Sequence, residues 1–443
     1  MALRAACRYG RFMTDTSAAY TEAALATARQ VAAWNAQQPD ADASDPRRLG
    51  WMTGSPPAPD KRIVYAESQH ARFPQIRWSF SHQRHFLPTS PVSRGEGPPS
   101  GLTRAPRSLD DVRFTPIAGD APMSWPEALQ ATWTDGVVVL HRGRIVDERY
   151  FGALQPHLPH LAMSVTKSFV GTIAATLIAE GVLDETRAIA HYVPELAASG
   201  FGDATVRQVL DMRTGIAYTE DYTDADSGAA RLGRAIGLTR RREGDAASLT
   251  EYLRSIGRQG EHGAAFAYKT VNTDVLAWVL MRVTGMPLAQ LLSERLWAPL
   301  GMEQDAYFAV DAWGTEFAGG GLNLALRDMA RFGEAMRCDG AYNGRQVVPA
   351  SVVAEIRRGG DRGECERAGF PILTGWSYRA MWWISHNAHG AYMARGIHGQ
   401  AIYVDPAAEV VIARFGSHPG AGNAFNDPVS LPAYQAVAEA LRG

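Results

Sequence analysis

The sequence predicts an α+β fold: an antiparallel sheet built from both ends of the chain and flanked by helices, with a mostly helical lobe inserted between the two halves. Three observations lead there. Gly136-Val-Val-Val-Leu-His141 and the run from Arg144 to Phe151 are β-prone segments on either side of Arg142-Gly143, the pattern of a tight hairpin. Gly399 to Val404 and Glu409 to Phe415 repeat that pattern around Asp405-Pro406 near the other end of the chain. Between the hairpins, residues 184–300 read as helical segments joined by long loops.

The other elements follow in order. Residues 14–37 carry helix formers, whereas Asp40 to about Arg107 is rich in Pro, Ser, Gly and Arg and has few regular apolar periods. Trp51, Ile63, Val64, Phe73, Trp78, Phe80 and Phe86 are too many large apolar groups for a free linker, so this arm is expected to clad a core. Ser164 to Leu183 places apolar residues at 165, 169, 170, 173, 174, 177 and 178, the spacing of a largely buried helix that ends at Gly181. A second helix runs from Asn272 to Thr284 and is closed by Gly285. The glycine run 319–321 precedes a helix at 324–337, and a last helix is expected at about 431–441. The domain division read from this is an N-terminal extension, 1–110, on a domain of 111–443. That domain has a sheet lobe at about 111–180 and 320–443 and a helical lobe at about 181–319.

Composition removes several function classes. The 443 residues are 46% hydrophobic, enough for a large core, and 44 basic groups against 46 acidic ones give no electrostatic reason to expect nucleic acid or an anionic membrane as partner. Cys7, Cys338 and Cys365 are far apart and form no Cys-x-x-Cys pair, so neither a disulfide framework nor a zinc ribbon is indicated. Arginines interrupt the first residues before a signal-peptide core can form, and no apolar run approaches the roughly 18 residues of a spanning helix. The expectation is a cytoplasmic protein that acts on a small molecule, with a homodimer left open.

Familiar catalytic templates are missing: the sequence has no Gly-x-x-x-x-Gly-Lys, no Gly-x-Gly-x-x-Gly, no His-Glu-x-x-His and no Gly-x-Ser-x-Gly. The histidine pairs 157/160 and 386/389 lack supporting carboxylates, so no metal is assigned. What remains is Ser164-Val-Thr-Lys167 at the start of the buried helix. Residues three apart share a helix face, which sets the Lys167 amine against the Ser164 hydroxyl. The positive end of the helix also favours a neutral amine and stabilises negative charge developing beside the serine. Lysine is rare here: Lys61, Lys167 and Lys269 are the only three among the 44 basic residues. Arginine cannot give up its proton as a lysine can, so a retained lysine has a chemical reason to be noticed. The alternative for this tetrapeptide is a capping serine beside a solvated lysine. Tyr268, in Tyr268-Lys-Thr-Val-Asn272-Thr-Asp274 just before the second buried helix, is a candidate to share the proton. A phenol held near an ammonium is biased toward phenolate, and its own alternative is a half-buried packing residue.

Taken together, Met163-Ser164-Val-Thr-Lys167-Ser-Phe, Gln208 to Gly215 with Glu220-Asp221-Tyr222, Tyr268 to Asp274 with Leu276-Ala-Trp278, and Gly396-Ile397-His398-Gly399-Gln400 resemble the 6-aminohexanoate-dimer hydrolases. These belong to the class C β-lactamase and penicillin-binding superfamily of serine hydrolases. The resemblance runs from about Trp51 to the C-terminus. It implies a β-lactamase-like fold and no cofactor. Residue by residue it implies Ser164 as nucleophile, Lys167 as its base and Tyr268 as the acid/base for the leaving group. It further implies an oxyanion hole from the backbone N–H groups of Ser164 and Ile397, and Tyr222, His398 and Asn272 as substrate-facing residues.

Two departures shape the functional expectation. The superfamily's Tyr-x-Asn is here Tyr268-Lys269-Thr270, and its Lys-Thr-Gly is Ala394-Arg395-Gly396. A β-lactam carboxylate therefore loses its lysine partner, with Arg395 as a possible substitute. The acidic residues Asp221, Asp224 and Asp226 are placed either to meet a substrate ammonium or to form a solvated loop. The expected activity is hydrolysis of short linear amides of the 6-aminohexanoate-oligomer type, or of small carboxylic esters, through an acyl-enzyme on Ser164. The alternatives are a β-lactamase or D-alanyl carboxypeptidase/esterase of the same superfamily, and a non-catalytic binding protein on the same fold.

Overall fold

The computed structural model describes residues 20–443. Cys7 and the expected helical residues 14–19 lie outside the described residues. The Arg142-Gly143 turn works because both residues hold positive φ, 51° and 72°, as a two-residue hairpin with the native strand twist requires. It joins β1 (Thr134–His141) to β2 (Arg144–Tyr150). Five further strands come from the C-terminal part: β3 (Ser377–Arg379), β4 (Trp382–Ile384), β5 (Tyr392–Gly396), β6 (Gln400–Asp405) and β7 (Val410–Gly416). They form one antiparallel sheet in the order β3-β4-β5-β6-β7-β1-β2, closed by the register Val410↔His141 to Phe415↔Gly136. The early and late parts of the chain are thus joined at β7–β1.

Against this sheet pack α2 (Val165–Ala179), α4 (Leu326–Arg337) and α5 (Asp427–Arg442); α3 (Val271–Thr284) packs on α2 and on the short helix Val206–Leu210, and α1 (Glu22–Asn35) belongs to the N-terminal arm. Every residue of α2 from Val165 to Leu177 is buried, as expected for a helix that is apolar all round. Gly285 ends α3 with φ 70°, as the sequence predicts, and α5 begins four residues before its expected start. The middle of the chain is short helices and loops, including Val206–Leu210, Gly228–Ala235 and Leu249–Ser255.

The N-terminal arm is tied in more firmly than cladding requires. Its segment Thr89–Val92 is the edge of a second, four-stranded sheet with Ala306–Ala309, Leu322–Leu324 and His160–Leu161. Farther back, the Tyr65 hydroxyl donates to Gly237 O at 2.6 Å on the helical side, and Phe80 O accepts from Leu161 N at 2.8 Å on the sheet side. The arm therefore bridges the two walls that border the start of α2. Among the described residues, no single helix is long and apolar enough to cross a membrane.

Candidate active site

Ser164 immediately precedes α2, and its side chain caps nothing. The residue before it, Met163, holds φ 48°, a left-handed conformation costly for a non-glycine residue and characteristic of turns that present a functional group. One turn into the helix, Lys167 is 1% exposed and its Nζ lies 2.8 Å from Ser164 Oγ. Nζ also donates to the carbonyl of Gly319. The capping-serine, solvated-lysine alternative is therefore wrong in both halves. Burial pushes the Lys167 amine below its ordinary value, with the charges of Glu220 and Asp274 opposing the shift. A lysine so placed gives up its proton more readily than one in water.

Tyr268 completes the group. Its phenol neighbours Ser164, whose side chain draws the phenol's value down, and Lys167 Nζ sits 5.3 Å from its ring centroid, facing the π-cloud. Burial first, and then repulsion from Glu220, push the phenol well above its ordinary value. This corrects the expected bias toward phenolate: with desolvation dominant, Tyr268 rests as a neutral phenol able to donate its proton.

The edge of β5 comes up against the nucleophile. A Cβ on Gly396 would lie 2.8 Å from Ala162 O and 3.0 Å from Ser164 N, so only glycine lets this strand pass so close. The next residue, Ile397, lines the same cleft as Ser164. Its peptide is fixed from behind by Gln400, whose Nε2 donates to Ile397 O at 3.1 Å and to Gly416 O at 2.6 Å. His398 follows in a left-handed conformation, φ 62°, with Nδ1 donating to His418 O at 2.6 Å. Burial pushes its imidazole down to about 4, so it is neutral at physiological pH.

Around Ser164 is a cleft of about 160 Å³ that opens to solvent. Glu220, Tyr222 and Thr270 form one part of its wall, and Leu232 and Ile236 of the helical lobe another. The arm supplies His70, Phe80 and Gln83. Glu220 organises its neighbours: it accepts from Tyr222 Oη at 2.5 Å, from Thr270 N at 2.9 Å and from the Thr270 hydroxyl. No Lys or Arg lines the cleft among the described residues.

Other candidates lie elsewhere. Asn272, expected to face substrate, is fully buried: its Oδ1 accepts from Thr214 at 2.7 Å and its Nδ2 donates to Lys269 O at 3.0 Å, so it fastens the start of α3. Lys269 donates to Ile216 O at 2.7 Å and plays a similar structural part. Arg395 is buried in an ion pair with Asp427 at 2.5 Å and lies over Trp383, outside the cleft lining. Asp221, Asp224 and Asp226 are exposed. Asp221 holds the local turn at Thr223, and Asp226 pairs with Arg242 at 2.8 Å. Sequence reasoning gave no role to Glu220, although it stands two residues before Tyr222, nor to the arm residues, whose approach to Ser164 has no local signature.

With this geometry in place, comparison with known proteins defines the class. The family model described as Beta-lactamase matches residues 127–428, and the chain belongs to that family of serine hydrolases. Within it, the chain is 38% identical over 347 residues to the 6-aminohexanoate-dimer hydrolase of Paenarthrobacter ureafaciens, covering 78% of this chain and 86% of that one. A solved Bacillus anthracis protein, provisionally named a 6-aminohexanoate-dimer hydrolase, is 31% identical with a TM-score of 0.79, covering 87% of this chain and 99% of its own. EstCE1, a hydrolase with promiscuous acyltransferase activity, shares the fold at 17% identity and a TM-score of 0.57, over 71% of this chain and 98% of its own.

Proposed function

We propose that this hydrolase cleaves short linear amides of the 6-aminohexanoate-oligomer type, or small carboxylic esters, through an acyl-enzyme on Ser164. The observation that carries the reading is the 2.8 Å contact between Ser164 Oγ and a buried Lys167. Neutral Lys167 takes the hydroxyl proton as Oγ bonds to the substrate carbonyl carbon, and the carbonyl electrons move to oxygen. The N–H groups of Ser164 and Ile397 receive that oxyanion, held still by Gln400 and by the close approach of Gly396. Tyr268, neutral at rest, passes a proton to the departing amine or alkoxide and draws its replacement from Lys167. Water then enters by the reverse of these steps and releases the acid. Tyr222, steadied by Glu220, and His398 position the chain on either side of the reacting bond.

The cleft wall supports the substrate class. Among the described residues it offers one carboxylate, Glu220, and no Lys or Arg, which suits a neutral or positively charged substrate and leaves an anionic β-lactam without a partner. Arg395 is committed to Asp427, which weighs against the β-lactamase and D-alanyl carboxypeptidase reading. Two measurements test the proposal. A fluorophosphonate should label Ser164, and a panel of linear amides, esters and β-lactams should show turnover of the first two groups and weak turnover of the third. No adduct and no turnover would leave a binding protein on this fold; fast acylation by β-lactams would favour the superfamily alternative.

A further inference from the structure

Asp274 lies in the first turn of α3 and is 3% exposed, so no bulk water screens its charge. Its Oδ1 accepts from Gly319 N at 2.8 Å, and the carbonyl of the same glycine accepts from Lys167 Nζ. Gly319 is thus a connector with an acid on one side and the amine beside Ser164 on the other. No larger residue fits: a Cβ would stand 2.5 Å from Thr270 Cγ2, 2.8 Å from Phe317 Cε2 and 2.9 Å from Asp274 Oδ2. Asp274 Oδ2 has no hydrogen-bond donor among the described residues. A buried carboxylate with one bare oxygen is costly unless a positive charge stands near to balance it.

We propose that Asp274 is a positioning residue of this hydrolase: through Gly319 it aims the Lys167 amine at Ser164, and its charge balances the ammonium formed when Lys167 takes the serine proton. The inference rests on the acyl-enzyme reading above. In the step concerned, the Ser164 O–H bond breaks, an N–H bond forms on Lys167, and the Oγ–C bond forms with the electron pair released; Asp274 exchanges no proton. Two negative groups act on Lys167, Glu220 from the loop before Tyr222 and Asp274 from α3, while Tyr268 presents its ring face and Gly319 a carbonyl. Glu220 already has Tyr222 and Thr270 as partners, whereas among the described residues the hydrogen bond that Asp274 accepts comes from the glycine run. In line with this, burial drives the Asp274 carboxyl up and the Lys167 amine down, and the attraction between them opposes both shifts.

The test is Asp274→Asn, which keeps size and removes charge. With less negative charge nearby, Lys167 should lose its proton at lower pH. The acid limb of kcat/KM for p-nitrophenyl acetate should therefore move down by about one pH unit, with a plateau about tenfold lower. A lower plateau with an unmoved limb, or a limb that moves up, would overturn the proposal and leave Asp274 a packing residue. Should the variant not fold, the wild-type enzyme still decides. With only three lysines in the chain, selective 13C labelling at Cε gives at most three signals. That of Lys167 should titrate in two steps, its own and that of Asp274, and a single step would overturn the inference. Fluorophosphonate labelling of the wild type separates the two levels: labelling with an unmoved limb removes only Asp274's role, whereas no labelling removes the acyl-enzyme reading itself.

Discussion

At Ser164, Lys167 and Tyr268 the chemistry is set by removing water. Desolvation pushes the amine down and the phenol up, so that the amine gives up its proton more readily than in water and the phenol stays neutral on the other side of one hydroxyl. In the proposed mechanism the serine and lysine act as a unit, so Ser164→Ala and Lys167→Ala should each lose at least about a thousandfold in kcat/KM, and the double variant should be scarcely worse. Steady-state kinetics on a p-nitrophenyl ester checks this, and additive losses would contradict the coupling. Tyr268→Phe should discriminate by leaving group. An amide nitrogen must be protonated to depart, so amide turnover should fall on the order of 100-fold or more, while p-nitrophenolate, stable as an anion, needs little help. Equal losses on both substrates would remove Tyr268 as the acid. The Ser164–Lys167 pair was legible in the sequence because helix periodicity is local, and three residues on is one face. Asn272 misled because nearness in sequence to Tyr268 does not fix direction: its amide turns to Thr214 and Lys269 instead of the cleft.

At the scale of elements, two close approaches matter more than the number of strands. Gly396 lets the β5 edge meet the start of α2, and Gly319 lets the glycine run meet α3. Gly396→Ala would insert a methyl within 3.0 Å of Ser164 N, and the strand must retreat. The expected loss in kcat is on the order of 100-fold to 1000-fold, the scale of one oxyanion donor. Kinetics combined with a thermal melt checks it, and unchanged kcat in a folded variant would move the oxyanion site elsewhere. The two hairpins were legible because their turn residues and β-prone runs are contiguous. The four-stranded sheet was not: its strands, two to four residues long, come from positions near 89, 160, 306 and 322, and segments so short carry no periodicity.

For the whole molecule, the arm converts a common hydrolase core into a walled cleft. It is held on the helical side by Tyr65 and His70, which meet Gly237 O and Leu238 O, and on the sheet side by Phe80, whose ring lies 5.3 Å from that of His398. Sequence composition showed that this segment packs somewhere. That it packs across the mouth of the site depends on contacts more than 75 residues apart and could not be read from spacing. Charge selectivity is the property that belongs to this scale, because it sums over every wall. With Glu220 present and no Lys or Arg lining the cleft among the described residues, an ester whose acyl chain ends in a carboxylate should show kcat/KM about tenfold or more below that of its neutral methyl-capped analogue. A preference for the carboxylate would mean that a cation reaches the substrate.

The central claim is that a covalent ester between Ser164 and the acyl half of the substrate lies on the reaction path. Rapid acid quench of the enzyme with a linear amide or a slow ester, followed by intact-mass and peptide mass spectrometry, reads this directly. The account predicts a mass increase equal to the acyl group, located on the peptide containing Ser164, formed within one turnover and lost at the rate of product release. Turnover at the full rate with no adduct on that peptide, or an adduct on another residue, would contradict it.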